Sequence, residues 1–315
     1  MPNDPTAAPE AARASARRPE PDLRWGRRKR LQFIDFRLTW EGRINRADLI
    51  DCFGISVPQA SGDLAVYQQI APENLHYDRR ERTYAASESF APVFPQPPET
   101  YLNQLLAVAQ GVIDPAEAWT PPAALGADRF AAVPHVHRRI DAAVLRAVLR
   151  AIRGGLDLEL DYQSMSRIAP RRRWIGPRAL VFDGSRWHAR AWCHTHGDWR
   201  DFVLARIAAL TGERPAAPPA ARDADWEAQV RVVLVPHPRL TAAQRQAIAR
   251  DYGMQGGRLA LSVRRALLFY FLRRYALAPD AAHLPPEEHQ VVVANPDEVW
   301  PPAQTEPELP FASSG

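Results

Sequence analysis

The stretch GISVPQASGDLAVYQQI, residues 54–70, combines the start signals of a helix with a small, polar outer surface. Ser56 can cap the helix, and Pro58 falls in its first turn, where a missing N–H costs nothing. Apolar residues three and four apart predict one buried face, made of Val57, Ala60, Leu64 and Tyr67. The outward residues are then Gln59, Ser61, Gly62 and Gln68. Short side chains let a helix approach a large partner closely, and Gln and Ser can hydrogen-bond to base edges and phosphates.

Two predicted helices precede this stretch and a hairpin follows it. The first helix covers residues 25–40 and starts with the basic run RRKR. The second begins near Asn45, which suits an N-cap, and ends at Gly54. Residues 75–87, LHYDRRERTYAAS, alternate around a tight charged turn and predict a two-stranded hairpin. This order is that of a winged helix-turn-helix, in which the third helix reads the major groove.

We expect DNA to contact the polar face of the third helix, the hairpin tip and the basic start of the first helix. Arginine suits phosphates, whereas Ser and Gln suit base edges. The expected DNA-binding residues are Arg27, Arg28, Arg43, Ser56, Gln59, Ser61, Gln68, Arg79, Arg80 and Arg82. The alternative is an ordinary three-helix core whose arginines only solvate its surface. The order of the elements favours DNA binding.

Composition narrows the class of protein further. The chain has 315 residues, 46% of them hydrophobic, and a formal net charge of +4. No apolar run reaches the roughly 18 residues of a membrane span, and the N-terminus lacks the apolar core of a signal peptide. We therefore expect a soluble, cytoplasmic protein with no membrane partner. Cys52 and Cys193 provide neither a disulfide framework nor a paired metal spacing, as is typical of a reducing compartment.

Proline-rich stretches and changes of pattern divide the chain into an α+β multidomain protein. The predicted divisions are a disordered tail (1–22), a winged helix-turn-helix (23–90), a helical linker (91–128), a central sheet domain (129–212), a second linker (213–225), a C-terminal α+β module (226–300) and a tail (301–315).

The central domain is predicted to be a small, strongly curved sheet with one helix. A helix is expected over residues 140–155, and an Asp183-Gly184 turn joins two of the strands. The five predicted strands cover residues 130–137, 156–164, 178–184, 186–195 and 198–210. This arrangement fits a five-stranded Sm-like or SH3-like β-barrel.

Alternation in RWHARAW, residues 186–192, separates two faces of one strand. Trp187, Ala189 and Ala191 suit a packed core. The other face carries His188, Arg190 and Trp192. A cation, an imidazole and an indole together suit a ligand that has a phosphate and a base to stack. This combination predicts an anionic ligand.

The motifs of the central domain resemble a known family. LDYQSMSRIAPRRRWIGPRALVFDGSRWHARAW, residues 160–192, followed by RDFVLARI, is similar to a WYL domain whose name-giving triplet is replaced here by Trp-His-Ala. The chain from residue 24 to about 300 resembles the CapW/BrxR-type transcriptional regulators found beside bacterial anti-phage operons. The resemblance covers several separated motifs, among them RRKRLQFIDFRLTWEGRINRADL and VRRALLFYFLRRYAL.

This resemblance implies a sensing pocket in the central domain and a dimer. The positions that match the pocket, together with a neighbouring basic cluster, are Tyr162, Ser164, Arg171, Arg172, Arg173, His188, Arg190 and Arg206. The implied ligand is a nucleotide, a cyclic nucleotide or a short nucleic acid, among which the sequence does not choose. A palindromic double-stranded operator would need the homodimer that the family implies.

The C-terminal module reads as strand, helix, strand, helix, strand. Thr241 and Gln244 have the spacing of a capping box at the start of the first of these helices. The second helix, within residues 264–277, carries an apolar face of Leu267, Leu268, Phe271 and Leu272. That face suits either the core of the module or a dimer contact.

These observations favour a homodimeric, ligand-responsive transcriptional repressor without a cofactor. No phosphate-binding loop, dinucleotide fingerprint or hydrolase motif is present, so we expect no enzymatic activity. The histidines and the cysteine that could suggest a metal lack the spacing of a complete site: His135, His137, Cys193, His194 and His196. The alternatives are a transcriptional activator of the same architecture, or an accessory or processing protein that binds single-stranded nucleic acid.

Overall fold

A computed structural model of the chain describes residues 24–120, 129–134, 136 and 138–301. The predicted N-terminal tail lies outside the described residues, as does the predicted C-terminal tail beyond Pro301. The chain forms two compact units, residues 1–136 and 137–315, and each is described by itself.

The N-terminal unit is a winged helix-turn-helix. Asn45 and Asp48 form the capping box that begins the second helix, and Gly54 ends it with a φ of 62°. Three strands pair in the order β1-β3-β2, so that the short β1 completes the wing. The elements are α1 (Trp25–Glu41), β1 (Arg43–Ile44), α2 (Arg46–Phe53), α3 (Val57–Ile70), β2 (Leu75–Asp78), β3 (Thr83–Ala86) and α4 (Pro98–Ala109).

The predicted buried face of α3 is confirmed for all but one residue. Ala60, Leu64 and Tyr67 are buried in the core of the unit. Val57 is 55% exposed, so its prediction as a core residue was wrong. Val57 is the first residue of the helix, and the packed face instead includes the buried carboxylate of Asp63, which an apolar pattern does not reveal.

The segment from residue 91, predicted as a helical linker, packs on α1. Phe94 is buried in the core of the unit. The Phe36 ring stacks on Tyr101 of α4 at 5.8 Å and meets the Trp119 ring edge-on at 5.5 Å. This segment therefore supports the helix on which α3 rests.

The central domain has an antiparallel sheet in the order β7-β6-β5-β4-β8, with α5 packed on its core face. β7 and β8 are the edges of this order, so backbone pairing leaves the predicted barrel open. The elements are α5 (Ala142–Gly154), β4 (Leu156–Tyr162), β5 (Arg171–Phe182), β6 (Trp187–Cys193), β7 (Asp198–Val203) and β8 (Ile207–Pro215).

Two of the predicted strands were wrong. The described residues between 129 and 141 contain no strand, and His135 and His137 lie outside the described part of the chain. The single strand predicted over 198–210 is two strands, because a 3-10 turn at Leu204–Arg206 carries the chain from one edge of the sheet to the other. Both halves alternate in the same way, so periodicity alone does not reveal the corner.

The C-terminal module has a sheet in the order β10-β9-β11 with helices around it. The capping box of Thr241 and Gln244 is present at the start of α7. Leu268, Phe271 and Leu272 of α8 pack on the core of the module. The elements are α6 (Ala224–Glu227), β9 (Gln229–Pro236), α7 (Ala242–Asp251), β10 (Leu259–Arg264), α8 (Arg265–Arg274), β11 (Val291–Val293) and α9 (Pro296–Val299).

Candidate functional site

The exposed residues of α3 are of both kinds: Gln59, Gln68 and Gln69 are polar, whereas Val57, Pro58 and Ala65 are apolar. The Ser56 hydroxyl accepts a hydrogen bond from the backbone N–H of Gln59 at 3.4 Å and caps the helix. Gln59 and Gln68 are exposed, and Ser61 is half-buried. Gly62 is exposed and has no side chain, so a partner can approach the helix backbone closely at this position.

A buried carboxylate ties α3 to α1. The Asp63 side chain is 1% exposed and lies 2.5 Å from Nε of Arg30 and 3.4 Å from Nε of Arg27. The side chain of Arg27, which is predicted to contact DNA, is 50% exposed and forms the longer of the two ion pairs with Asp63. Arg30 and Asp63 were missed, because their pairing joins residues 33 positions apart.

A second buried carboxylate, on α1, joins α3 to the segment that follows the wing. Asp35 accepts hydrogen bonds from the Tyr67 hydroxyl at 2.5 Å and from the backbone N–H groups of Val93 and Phe94 at 2.9 Å each. Burial raises the pKa of Asp35, although these three bonds oppose the shift. Asn74 donates to the Tyr67 hydroxyl at 3.1 Å and completes the network.

The wing presents three exposed arginines at its tip: Arg79, Arg80 and Arg82. The Asp78 carboxylate accepts from the backbone N–H groups of Arg80 and Glu81 at 2.8 and 3.1 Å, and Arg82 has a φ of 52°, which closes the turn. Arg43 is exposed on β1, opposite Ala85 of β3, so it belongs to the same small sheet. Arg28 is half-buried on α1.

The predicted ligand-facing side of β6 is covered. His188 is 3% exposed and Arg190 is 6% exposed. Arg190 donates from Nε and Nη2 to the two carboxylate oxygens of Asp223, at 2.9 and 2.7 Å. Tyr270 of α8 contributes a ring 5.2 Å from the His188 ring. The C-terminal module and the segment leading to it thus lie over this side of the sheet.

His188 is held by the hairpin turn that precedes it. Its Nε2 lies 2.9 Å from an oxygen of Asp183, which also accepts from the backbone N–H groups of Ser185 and Arg186. Burial raises the pKa of Asp183, but these hydrogen bonds outweigh burial and lower the pKa to about 2. Asp183 is therefore a carboxylate at neutral pH.

The other predicted ligand residues lie toward the end of β4 and the start of β5. Tyr162 is in the core, and its hydroxyl accepts from the backbone N–H of Val203 at 3.1 Å. The Arg173 guanidinium lies over the Tyr162 ring at 5.5 Å. Arg172 pairs with Asp161 through two bonds of 3.0 and 3.1 Å.

The remaining three predicted ligand residues, Ser164, Arg171 and Arg206, make fewer side-chain contacts. The Ser164 hydroxyl lies 3.3 Å from that of Ser166 in the loop after β4. Arg171 is exposed, and Arg206 is half-buried in the 3-10 turn. Neither guanidinium has a polar partner among the residues that the structure describes.

The predicted ligand residues therefore divide between the two faces of the sheet. Tyr162 belongs to the core face with Ala189, whereas His188 and Arg190 alternate to the face covered by the C-terminal module. The prediction of Trp187 as a core residue was wrong: it is 45% exposed at the start of β6, and its ring lies 4.9 Å from the exposed Phe182 ring.

Neither a metal cluster nor a membrane helix is found in the described parts of the chain. No three His, Cys, Asp or Glu side chains converge on a point there. Cys193 and His196 lie 3.2 Å apart, and His194 lies 2.9 Å from Asp157, as separate pairs. No described helix is long and apolar enough to cross a membrane.

A capped, polar-faced third helix, a basic wing and a separate mixed α/β unit define the class of this protein as a winged-helix transcriptional regulator. Comparison with family models agrees with this class. Residues 26–107 match the BrxR transcriptional regulator winged helix-turn-helix domain, residues 143–211 match the WYL domain, and residues 229–299 match the BrxR transcriptional regulator C-terminal dimerization domain.

Curated relatives cover almost the whole chain. The DNA-binding transcriptional repressor CapW of Escherichia coli (strain KTE188) is 43% identical over 284 residues, which are 88% of this chain and 92% of that protein. CapW of Stenotrophomonas maltophilia is 44% identical, with coverage of 88% and 92%, and CapW of Pseudomonas aeruginosa is 45% identical, with coverage of 88% and 91%. The chain belongs to the CapW/BrxR family of DNA-binding transcriptional regulators, whose named relatives are repressors and not enzymes.

Proposed function

We propose that this protein is a homodimeric repressor that binds a palindromic operator and responds to an anionic ligand through its WYL domain. The observation that carries the proposal is the fixed presentation of α3. Asp63 and Tyr67 anchor the buried side of the helix, while Gln59 and Gln68 remain exposed near its start and its end. Readout of the major groove requires a helix that is held in a fixed position and that has short, polar side chains on its exposed surface.

The two kinds of expected DNA contact have different functions. The amides of Gln59 and Gln68 can each read an adenine by two hydrogen bonds, which provides sequence preference. The wing arginines, exposed at the hairpin tip, neutralise phosphates and add affinity for any sequence. Repression follows when such a complex covers a promoter.

Dimerisation is proposed through the C-terminal module. The family model matched by residues 229–299 bears the name of a dimerization domain. Two exposed rings, Phe269 and Tyr275, lie on or beside α8 of that module and supply apolar surface. Two copies related by a two-fold axis would match a palindrome with half-sites about one helical turn apart or multiples of it.

The ligand proposal rests on the basic character of the central sheet. Arg171 and Arg206 offer guanidinium groups to an anion, and Arg190 offers another once it is uncovered. A nucleotide or short nucleic acid would change operator binding only if it favoured one dimer geometry over the other. Control of an anti-phage operon is proposed from the family resemblance alone.

The test is fluorescence anisotropy with the DNA directly upstream of the protein's own gene and a scrambled duplex, at physiological salt. We expect tight binding that depends on sequence. Gln59→Ala should weaken operator binding by about 1–3 kcal/mol, with little effect on the scrambled duplex. The matched control is Gln290→Ala, an exposed glutamine of the C-terminal module that should change neither affinity.

Two other results would lead to the alternative functions. Equal, weak binding to both duplexes, together with tighter binding to single strands, would replace the operator model with a single-strand accessory function. A reporter gene that loses expression when this gene is deleted would identify an activator.

A further inference from the structure

Arg190 lies in a buried group of charges that already contains an excess carboxylate. Its guanidinium binds both oxygens of Asp223 and lies 3.4 Å from an oxygen of Asp201. The Arg190 and Asp223 side chains are only 8% and 1% exposed. Burial lowers the pKa of Arg190, but the hydrogen bonds and charges of the two aspartates outweigh burial and raise it. The charged guanidinium of Arg190 is therefore already paired with a carboxylate of the same chain, that of Asp223.

Asp223 binds the same edge of the Arg190 guanidinium that an external anion would bind. Nε and one terminal nitrogen of a guanidinium form a planar fork that binds a carboxylate or a phosphate through two parallel hydrogen bonds. Asp223 fills this fork with bonds of 2.9 and 2.7 Å. One fork binds one anion, so a ligand phosphate and Asp223 compete for Arg190.

Asp223 also begins the connector, residues 223–228, which enters the C-terminal module. Its carboxylate caps α6 by accepting from the Trp226 N–H at 3.2 Å. The Arg264 guanidinium lies over the Trp226 ring at 4.6 Å, and the Arg265 N–H donates to the Ala228 carbonyl at 3.0 Å. These contacts join the connector to the junction of β10 and α8.

A second contact links the same group of charges to α8. The Tyr270 hydroxyl donates to Asp201 at 2.9 Å, while Asp201 also lies beside Arg190. Burial and the charge of Asp201 raise the pKa of Tyr270, so its hydroxyl stays protonated and remains a donor. A pyrophosphate in place of the Asp223 carboxylate would carry more negative charge beside Asp201 and weaken this arrangement as well.

We propose that Asp223 is an internal competitor for the ligand, so that a phosphate-bearing ligand reaches Arg190 only when Asp223 leaves and the connector separates from the central sheet. This inference rests on the proposed ligand-responsive function, and it states how ligand binding would be coupled to the position of the connector. Ligand binding and docking of the connector exclude one another, which provides the difference in affinity between two states that a switch needs.

The first test is calorimetric titration of the full-length protein with inorganic pyrophosphate, which probes access to the guanidinium. Asp223→Asn keeps a good helix cap but removes the competing charge. We expect this variant to bind pyrophosphate at least tenfold more tightly than the wild type. Glu213→Gln is the matched control, because it frees Arg150, which is not a predicted ligand residue, from an exposed ion pair. Equal affinity in the wild type and Asp223→Asn, or an equal gain in Glu213→Gln, would overturn the proposal.

The second test is hydrogen–deuterium exchange, which needs no variant. Saturating pyrophosphate should increase exchange in the connector, residues 223–228, and in residues 265–275 of the wild type. Tyr270→Phe, which loses only the bond to Asp201, should increase exchange in α8 without ligand. Binding of pyrophosphate that leaves exchange in both segments unchanged would contradict the mechanism.

Parallel titrations with AMP and with a four-residue oligothymidylate separate a nucleotide from a nucleic-acid strand as the source of the phosphate. Tighter binding of either compound by Asp223→Asn than by the wild type supports the competition, and the stronger binder identifies the source. Because none of these measurements uses the operator, failure to bind the operator would reject the proposed function and leave this result standing.

Discussion

Arg30 of α1 and Asp63 of α3 form an ion pair in which Nε and Oδ2 are 2.5 Å apart. The carboxylate is 1% exposed, and Arg27 approaches its other oxygen at 3.4 Å. A charge on α3 is therefore buried against the first helix. This pair links α1 to the buried side of α3.

Removal of the Asp63 charge should weaken both the fold and DNA binding. We expect Asp63→Asn to lower the free energy of unfolding by about 1.5–3 kcal/mol, the range for hydrogen bonds to charged groups. Urea denaturation measures the stability change, and anisotropy measures operator affinity at a temperature where the variant is folded. Asp51→Asn, an exposed carboxylate on α2, is the control and should change little. Unchanged stability in Asp63→Asn would show that the pair does not anchor α3.

Loss of the Tyr67 hydroxyl should also destabilise the N-terminal unit. Tyr67→Phe leaves Asp35 with only its two backbone donors and removes one of the two acceptors of the Asn74 amide, the other being the Ala91 carbonyl. We expect a loss of about 1–3 kcal/mol, the cost of leaving buried polar groups unsatisfied. Tyr77→Phe, which removes an exposed hydroxyl from the wing, is the matched control for the urea titration. Equal effects of the two changes would contradict this account of the buried network.

The wing arginines should contribute affinity without sequence preference. We expect Arg80→Gln to reduce the slope of log affinity against log salt by about 0.9, the value for one phosphate contact, on operator and scrambled DNA alike. Arg146→Gln, an exposed arginine of α5, is the control and should leave the slope unchanged. A loss confined to the operator would instead assign Arg80 to base readout.

Asp183 should make the second unit sensitive to acid. Hydrogen bonds from His188 and two backbone N–H groups lower its pKa to about 2, below the ordinary value of 3.8. Its contribution to stability, about 2 kcal/mol, is therefore present above pH 4 and is lost as the pH falls toward 2. Asp183→Asn keeps an acceptor for the turn but should remove this part of the pH dependence.

Urea titrations at several pH values between 2 and 5 measure the dependence. Asp280→Asn, an exposed carboxylate of the same unit, serves as the control. An identical fall in stability for the wild type and Asp183→Asn would show that other carboxylates cause the acid sensitivity.

Local patterns in the sequence predicted the elements of the winged helix-turn-helix well. Helix caps such as Asn45 and Ser56 act within four residues, and alternation around the wing acts between adjacent positions, so both are visible in a short window. The order of these elements then indicated a winged helix, and the resemblance of separated motifs indicated the family. Val57 shows the limit, since periodicity extended the predicted buried face to a residue that is 55% exposed.

The sequence by itself determined the helices, the wing, the domain order and the family of this protein. Only the tertiary structure decided which polar residues are buried and which side chains they pair with. Asp63 pairs with Arg30 across 33 positions, and Asp223 pairs with Arg190 across the same separation. Alternation on β6 separated two faces correctly but did not show that the C-terminal module covers one of them. Such contacts depend on how distant segments pack, and no local period or cap encodes that packing.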